Sequence, residues 1–362
     1  KYFFGNKESP LNAYIKINDP SFTSKLLRKG SSGLGESYIN NEFETNDLPS
    51  LIELSARNIN ITHKFSGLIE IPFFQNILNK LINTNTRERS KQNVSAHYDL
   101  GNEFFSIWLD KTLTYSCGIF NSLDETLESA QINKYNKLIN LAQPKPGSKV
   151  LEIGCGWGGF AEQLAKNYDI KLDCITISKK QFEFTKSKIN RLGLNHKVNI
   201  KMLDYRDIKN KYDNIISIEM IEAVGEKYLG SYFRSIKENL KPEGRAAIQS
   251  ILIKDNLYDR YRTKEDFIQK FIFPGGFLPS LESIKKLSLK SGLVLDSQKL
   301  YGDHYSNTLR KWRESFLNSW EKISKQGFNL GFKNMWDFYL SYCEAGFKSK
   351  NIDLIQFSLC NK

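Results

Sequence analysis

The sequence lacks any pair of cysteines at metal-ligand or redox spacing. Its five cysteines, Cys117, Cys155, Cys174, Cys343 and Cys360, form no C-x-x-C, and its four histidines, His63, His97, His196 and His304, do not cluster with them. That pattern argues against a zinc site and a disulfide framework and fits a reducing cytosol, so no metal is expected. No apolar run approaches the ~18 residues a spanning helix needs, and no secretory leader opens the chain. The chain begins at Lys1 rather than methionine, so upstream residues are expected. The glycine cluster "KGSSGLGES" (Lys29–Ser37) lacks the Lys-Ser/Thr ending of a nucleotide-binding loop and reads as a tight turn with no phosphate.

What is present is a globular composition rich in rings. The 362 residues are 40% hydrophobic and 25% charged, with 24 Phe, 17 Tyr and 5 Trp, enough for two or three units with a sizeable core. The net charge of +12 draws anions, so nucleic acid, an anionic membrane surface and a phosphorylated substrate all qualify as partners, beside a merely lysine-rich soluble protein. No RNA-binding module or strong basic run accompanies that charge, and no nucleic-acid partner is expected.

Residues 1–93 read as a small α/β unit of short strands and helices. Near its end, Pro72 precedes Phe73, Phe74, Ile77, Leu78, Leu81 and Ile82 on one helical face, which fits a core or docking stripe, and Asn83–Asn93 is polar and basic like a linker. Residues 94–362 form the second unit. From Lys149 short apolar strands alternate with helical stretches: "KVLEIGCG", "KLDCITIS", "VNIKMLD", "DNIISIEM", "RAAIQSILI", "LVLDSQKLYG" and "DLIQFSLC". This alternation predicts a mostly parallel, doubly wound α/β sheet whose ligand binds at the carboxyl ends of the strands. Two aromatic-rich insertions, at about 254–280 and 304–352, read as a lid over that site.

In "VLEIGCGWGG" (Val150–Gly159) an apolar strand and the acid Glu152 lead into Gly154, Gly156, Gly158 and Gly159, which open a helix and let backbone N–H groups approach a ligand. A second acid, Asp204, ends the third strand in "MLDYRD". Carboxylates at such a turn would repel a pyrophosphate and favour a cationic amino-acid ligand. The combination resembles S-adenosylmethionine methyltransferases, with their Rossmann-like class I sheet.

The resemblance narrows to the cyclopropane fatty acid synthases and related fatty-acyl methyltransferases. It is carried by "AHYDLGNEFF" (Ala96–Phe105), "TYSCGIF" (Thr114–Phe120), "LEIGCGWGG", "ITISKKQ" (Ile175–Gln181), "DYRD", "EMIEAVG" (Glu219–Gly225), "FIFPGGFLPS" (Phe271–Ser280), "HYSNTLRKW" (His304–Trp312) and "SKNIDLIQFSLC" (Ser349–Cys360). It implies transfer of the sulfonium methyl carbon of S-adenosylmethionine to the double bond of an unsaturated acyl chain on a membrane phospholipid, giving a cyclopropane. It implies that Tyr115 and Ser116 line the amino-acid end of the cofactor with Glu152, Gly154 and Gly156, that Thr176, Ile177 and Gln181 surround the ribose, and that Asp204 and Tyr205 border the adenine. It also implies a bound bicarbonate that accepts the departing proton, held by Glu222, the backbone of Cys117 and Ile251, and the hydroxyl of Tyr305. Glu219 has no counterpart in that set and reads as a supporting or cofactor-proximal residue.

One position departs from the family. The histidine expected five residues after the glycine before the fifth strand is Gln249 here, after Gly244. A glutamine donates and accepts hydrogen bonds but takes no proton at neutral pH. A methyl- or methylene-branched product is therefore an alternative to the ring, and a non-catalytic lipid-binding protein and a nucleic-acid methyltransferase are alternatives from other classes. The membrane substrate and basic balance imply a cytoplasmic protein, peripheral at the inner face of the cell membrane, with the amino-terminal unit assisting docking or homodimer formation.

Overall fold

The computed structural model describes residues 2–3, 5–6, 8–58, 86, 100–122 and 124–362. The stripe Phe73–Ile82 and, apart from Thr86, the linker 83–93 lie outside the described residues, as do His63 and His97. The amino-terminal part contains a short antiparallel ladder, β1 (Ile15–Ile17) with β2 (Phe43–Thr45), and helices Ser21–Lys29, Ser31–Ile39 and Leu48–Arg57.

The remaining strands, β3 (Ser148–Ile153), β4 (Ile170–Thr176), β5 (Val198–Met202), β6 (Tyr212–Ile218), β7 (Leu240–Ile253), β8 (Leu293–Leu300) and β9 (Ile352–Asn361), build one seven-stranded sheet. Their order is β5-β4-β3-β6-β7-β9-β8. All seven strands expected from the alternation are present, and the first five run parallel. Strand β9 is antiparallel to β7, and β8 to β9. Val150, Leu151, Glu152 and Ile153 are all buried, as expected for a parallel strand covered by helices on both faces. The chain works outward from β3 to β5 and then returns to lay β6 on the other side of β3. That reversal leaves a crevice beyond the carboxyl ends of β3 and β6.

The glycine cluster expected to be a turn is instead a helix, Ser31–Ile39. Its glycines serve packing. A Cβ at Gly33 would lie 2.1 Å from the Lys25 carbonyl oxygen, and one at Gly35 2.2 Å from the Phe267 ring, so neighbouring elements approach closer than any side chain permits.

Both insertions are largely helical: Asp255–Tyr261 and Phe267–Phe271 in the first, Trp320–Ser324, Leu330–Lys348 and most of Gly302–Asn318 in the second. Their buried rings, among them Phe267, Trp312, Phe316, Trp336 and Phe338, form one hydrophobic cluster with Phe104, Phe105 and Trp108 of helix Asn102–Trp108. Phe22, Leu34, Phe43, Leu48 and Ile52 of the amino-terminal part join the same cluster. Across this junction the Tyr38 hydroxyl donates to Asp337 Oδ2 at 2.7 Å, and Arg313 Nε donates to Asp337 Oδ1 at 2.5 Å.

Candidate active site

The crevice becomes a cleft because the turn after β3 is glycine. Gly154 and Gly156 have φ of 81° and 51°, the left-handed region that side chains resist. A Cβ at Gly154 would come within 2.9 Å of Met220, whereas the space beside Gly156 is open, so its backbone faces the cleft. All ten positions expected at the cofactor, Tyr115, Ser116, Glu152, Gly154, Gly156, Thr176, Ile177, Gln181, Asp204 and Tyr205, line this one cleft. Thr176 donates to Gln181 Oε1 at 3.1 Å, tying the end of β4 to the following helix.

The two acids sit in different electrostatic settings. Burial pushes Glu152 up to about 8, opposed by the Cys174 thiol, which donates to its Oε2 at 3.2 Å, and by the charges of Lys134 and Lys188. Asp204 receives Arg206 Nε at 2.8 Å and Nη2 at 2.6 Å. Burial thus favours the neutral form of Glu152, and Asp204 is paired with Arg206. These acids offer a ligand shape and hydrogen bonds as well as charge.

One wall of the cleft is aromatic. Tyr115 and Trp157 line it, and both rest on the insertion cluster: the Tyr115 ring centroid lies 5.1 Å from Trp312 and 5.3 Å from Phe105, and Trp157 lies 5.0 Å from Phe105. The Tyr115 hydroxyl shares a 2.7 Å hydrogen bond with Tyr339, which fixes the ring.

At the end of β6 the two glutamates divide the groups expected around bicarbonate. Cys117, Tyr305 and Gln249 converge on Glu219, and Ile251 turns to Glu222. Cys117 N–H donates to Glu219 Oε1 at 2.9 Å, Gln249 Nε2 to the same oxygen at 2.7 Å, and the Tyr305 hydroxyl to Oε2 at 2.5 Å. Glu222 receives Ile251 N–H at 2.5 Å, and its Oε2 has no hydrogen-bond partner among the described residues. The physical reason is backbone direction: Glu219 has φ of 49°, uncommon for a non-glycine residue, which turns its side chain into the position predicted for the ion. Glu219, expected as a supporting or cofactor-proximal residue, stands at the centre of this set of donors. It also lines the cleft, whereas Glu222, Cys117, Gln249, Ile251 and Tyr305 stand behind it.

The environments of the two acids differ in kind. Burial raises Glu219, but the Tyr305 hydroxyl, the charge of Lys134, the Cys117 N–H and the Gln249 amide all oppose the rise. Burial, then repulsion from Glu219, pushes Glu222 up to about 8. The Gln249 amide is oriented by Gln356, whose Nε2 donates to Gln249 Oε1 at 2.8 Å, so its own Nε2 faces Glu219. Burial holds the Cys117 thiol well above its ordinary value, and the site uses this residue's N–H.

Sequence reasoning missed Lys134. It sits fully buried on helix Leu127–Ala142, donates to Ser116 Oγ at 2.6 Å, and is pushed down to about 8 by burial against the pull of Glu219. In "QINKYNKL" nothing sets this lysine apart from its exposed neighbours. A lysine at full burial needs a compensating anion, and here that anion is the active-site carboxylate.

The profile described as "Mycolic acid cyclopropane synthetase" matches residues 85–357. The chain is 35% identical over 347 residues to a cyclopropane-fatty-acyl-phospholipid synthase of Escherichia coli strain K12, covering 95% of this chain and 87% of that protein. It is 34% identical over 346 residues to a tuberculostearic acid methyltransferase of Mycobacterium tuberculosis, covering 92% and 80%. Among solved structures, a mycolic acid cyclopropane synthase complexed with SAH and CTAB matches with a TM-score of 0.68 at 26% identity, covering 75% of this chain and 98% of that one.

Proposed function

Since the chain belongs to the mycolic acid cyclopropane synthetase family and is an S-adenosylmethionine-dependent methyltransferase, we propose that it methylates the double bond of unsaturated acyl chains carried on membrane phospholipid. The cleft suits the cofactor: the open backbone at Gly156, the Thr176–Gln181 pair and the Asp204–Tyr205 corner present polar groups along a narrow channel that ends at Ser116 and Tyr115. When bound, S-adenosylmethionine supplies an electrophilic methyl carbon.

The observation that carries the acceptor class is the aromatic wall. An alkene is a weak nucleophile and becomes cationic when it takes a methyl group. The cleft wall of Tyr115 and Trp157, backed by Phe105, Trp108 and Trp312, would shield that cation from water and present electron-rich ring faces to it. Relatives of near-equal identity are named for a cyclopropane product and for tuberculostearic acid, so the acyl chain is the shared element and the product form the variable one. Two of the four groups expected to hold bicarbonate, the Cys117 N–H and the Tyr305 hydroxyl, donate to Glu219, and Gln249 joins them, so a carboxylate of the chain offers itself where the ion was expected.

A net charge of +12, with no helix among the described residues long and apolar enough to cross a membrane, supports peripheral contact with an anionic bilayer. The decisive experiment gives the purified protein S-adenosylmethionine and vesicles of unsaturated phospholipid. Mass spectrometry should show the acyl chains gaining one CH2 unit, faster on anionic than on zwitterionic vesicles and with that preference reduced by salt. NMR of the product distinguishes a ring from a branched alkene. Unchanged lipid, with the cofactor bound, would rule the proposal out.

A further inference from the structure

Methyl transfer to an alkene leaves a cation that must lose a proton, and the residues able to take it are few. We propose that Glu219 is the general base, its carboxylate standing where a bound bicarbonate would otherwise be needed; this rests on the reading of the chain as an alkene methyltransferase.

The cage around Glu219 is built for an anion. Its three partners present an N–H of the backbone, an N–H of an amide locked by Gln356 and a phenolic O–H, so both carboxylate oxygens receive donors. Charge-assisted bonds of this kind favour the ionised form and hold it in one orientation before the cation appears. Lys134, buried beneath Ser116, supplies the opposing charge. The left-handed backbone at residue 219 is a strain for a side chain that persists where the surroundings fix it, and here it places the carboxylate at the cleft.

Other candidates are set apart by position or chemistry. Glu222 is pushed up to about 8 by burial and by repulsion from Glu219, and it is not among the residues that line the cleft. Gln249 cannot take a proton. Of the histidines in the described residues, His304 accepts Phe120 N–H on Nδ1, and His196 sits at the surface against Gly193 O.

The step balances within this set. The alkene π pair makes the new C–C bond while sulfur keeps the pair of the bond it loses. A Glu219 oxygen then forms an O–H bond with one proton of the cation. If that proton comes from the transferred methyl group, the released C–H pair closes the three-membered ring; if it comes from a neighbouring chain carbon, the pair re-forms a double bond beside a methyl branch. Glu219 ends as the neutral acid, and no oxidant or reductant is consumed.

The test uses the full chain, unsaturated phospholipid vesicles and S-adenosylmethionine. In carbonate-depleted buffer the wild-type rate should be unchanged; a fall that added bicarbonate restores would overturn the proposal. Glu219→Gln should lower kcat by roughly 100-fold or more while SAH affinity, read by calorimetry, stays within about threefold. A rate within tenfold of wild type, or affinity lost in step with rate, would also overturn it. Glu219→Gly relieves the backbone and vacates the cage, and bicarbonate or formate should then recover part of the rate. A folded Gly variant that binds SAH but recovers with neither anion counts against the base. A wild-type protein that leaves the lipid unchanged sinks the alkene reading itself, and the base with it, before any variant is compared.

Discussion

Glu219 and Glu222 lie three residues apart; burial raises both, and more donors oppose the rise at Glu219 than at Glu222. Neighbouring carboxyls whose environments drive them apart commonly divide the work of holding and taking protons. For Glu222 the consequence is measurable. Its folded-state value is raised to about 8, so the folded protein binds a proton that the unfolded chain releases at ordinary carboxyl values. The stability it contributes is complete at acidic pH and is lost as pH rises toward and through 8. Glu222→Gln keeps the neutral shape without the titration. The stability difference between wild type and this variant, measured by urea unfolding from pH 5 to 9, should move in favour of the variant by on the order of 2 kcal/mol. A difference independent of pH would mean that Glu222 is ionised throughout.

At the scale of elements, helix Ser31–Ile39 shows how packing overrides local preference. Glycine costs a helix interior about 1 kcal/mol relative to alanine, so by propensity alone Gly33→Ala should stabilise. The structure gives the opposite sign. The added Cβ would meet the Lys25 carbonyl oxygen at 2.1 Å, and that atom belongs to the backbone of helix Ser21–Lys29 and cannot step aside as a side-chain tip would. Gly33→Ala should lower stability by about 1–2 kcal/mol, the overpacking penalty less the propensity gain, seen as a lower urea midpoint at unchanged slope. A raised midpoint would show that the two helices separate without cost.

For the whole molecule the aromatic cluster is the organising feature. It joins the amino-terminal part, both insertions and the wall of the cleft, so the first elements of the chain support that wall although they contribute no residue to the cleft lining. Removing them would uncover Phe267 and Phe338, against which Gly35 and Tyr38 pack, and leave Asp337 without the Tyr38 hydroxyl. A chain beginning at Ser95 should therefore bind more of a hydrophobic dye, melt at least about 5 °C lower and lose more activity than SAH affinity, because the cofactor residues belong to the sheet. Equal melting temperatures and equal rates would show that the cluster is complete without the amino-terminal part.

The alternation of apolar strands with helices was legible from residue 149 onward because buried parallel strands need continuous apolar runs and glycine turns need glycine. Hence all seven strands, and ten positions that line one cleft, could be placed from spacing and resemblance. The chemistry of "EMIEAVG" could not. Which of its two acids fills the cage depends on a positive φ at Glu219, on the β6–β7 register that sets Ile218 beside Gln249, and on Tyr305, contributed by a helix 86 residues further on. Cys117 reaches the same carboxylate across 102 residues. Lys134 looked like a solvent-facing helical lysine, and the glycine cluster like a turn, because neither sequence states what will be packed against it. Local sequence determines which backbone shapes are affordable; the partners of a buried charge are chosen only when distant segments meet, and at this site those partners decide which carboxylate is the base.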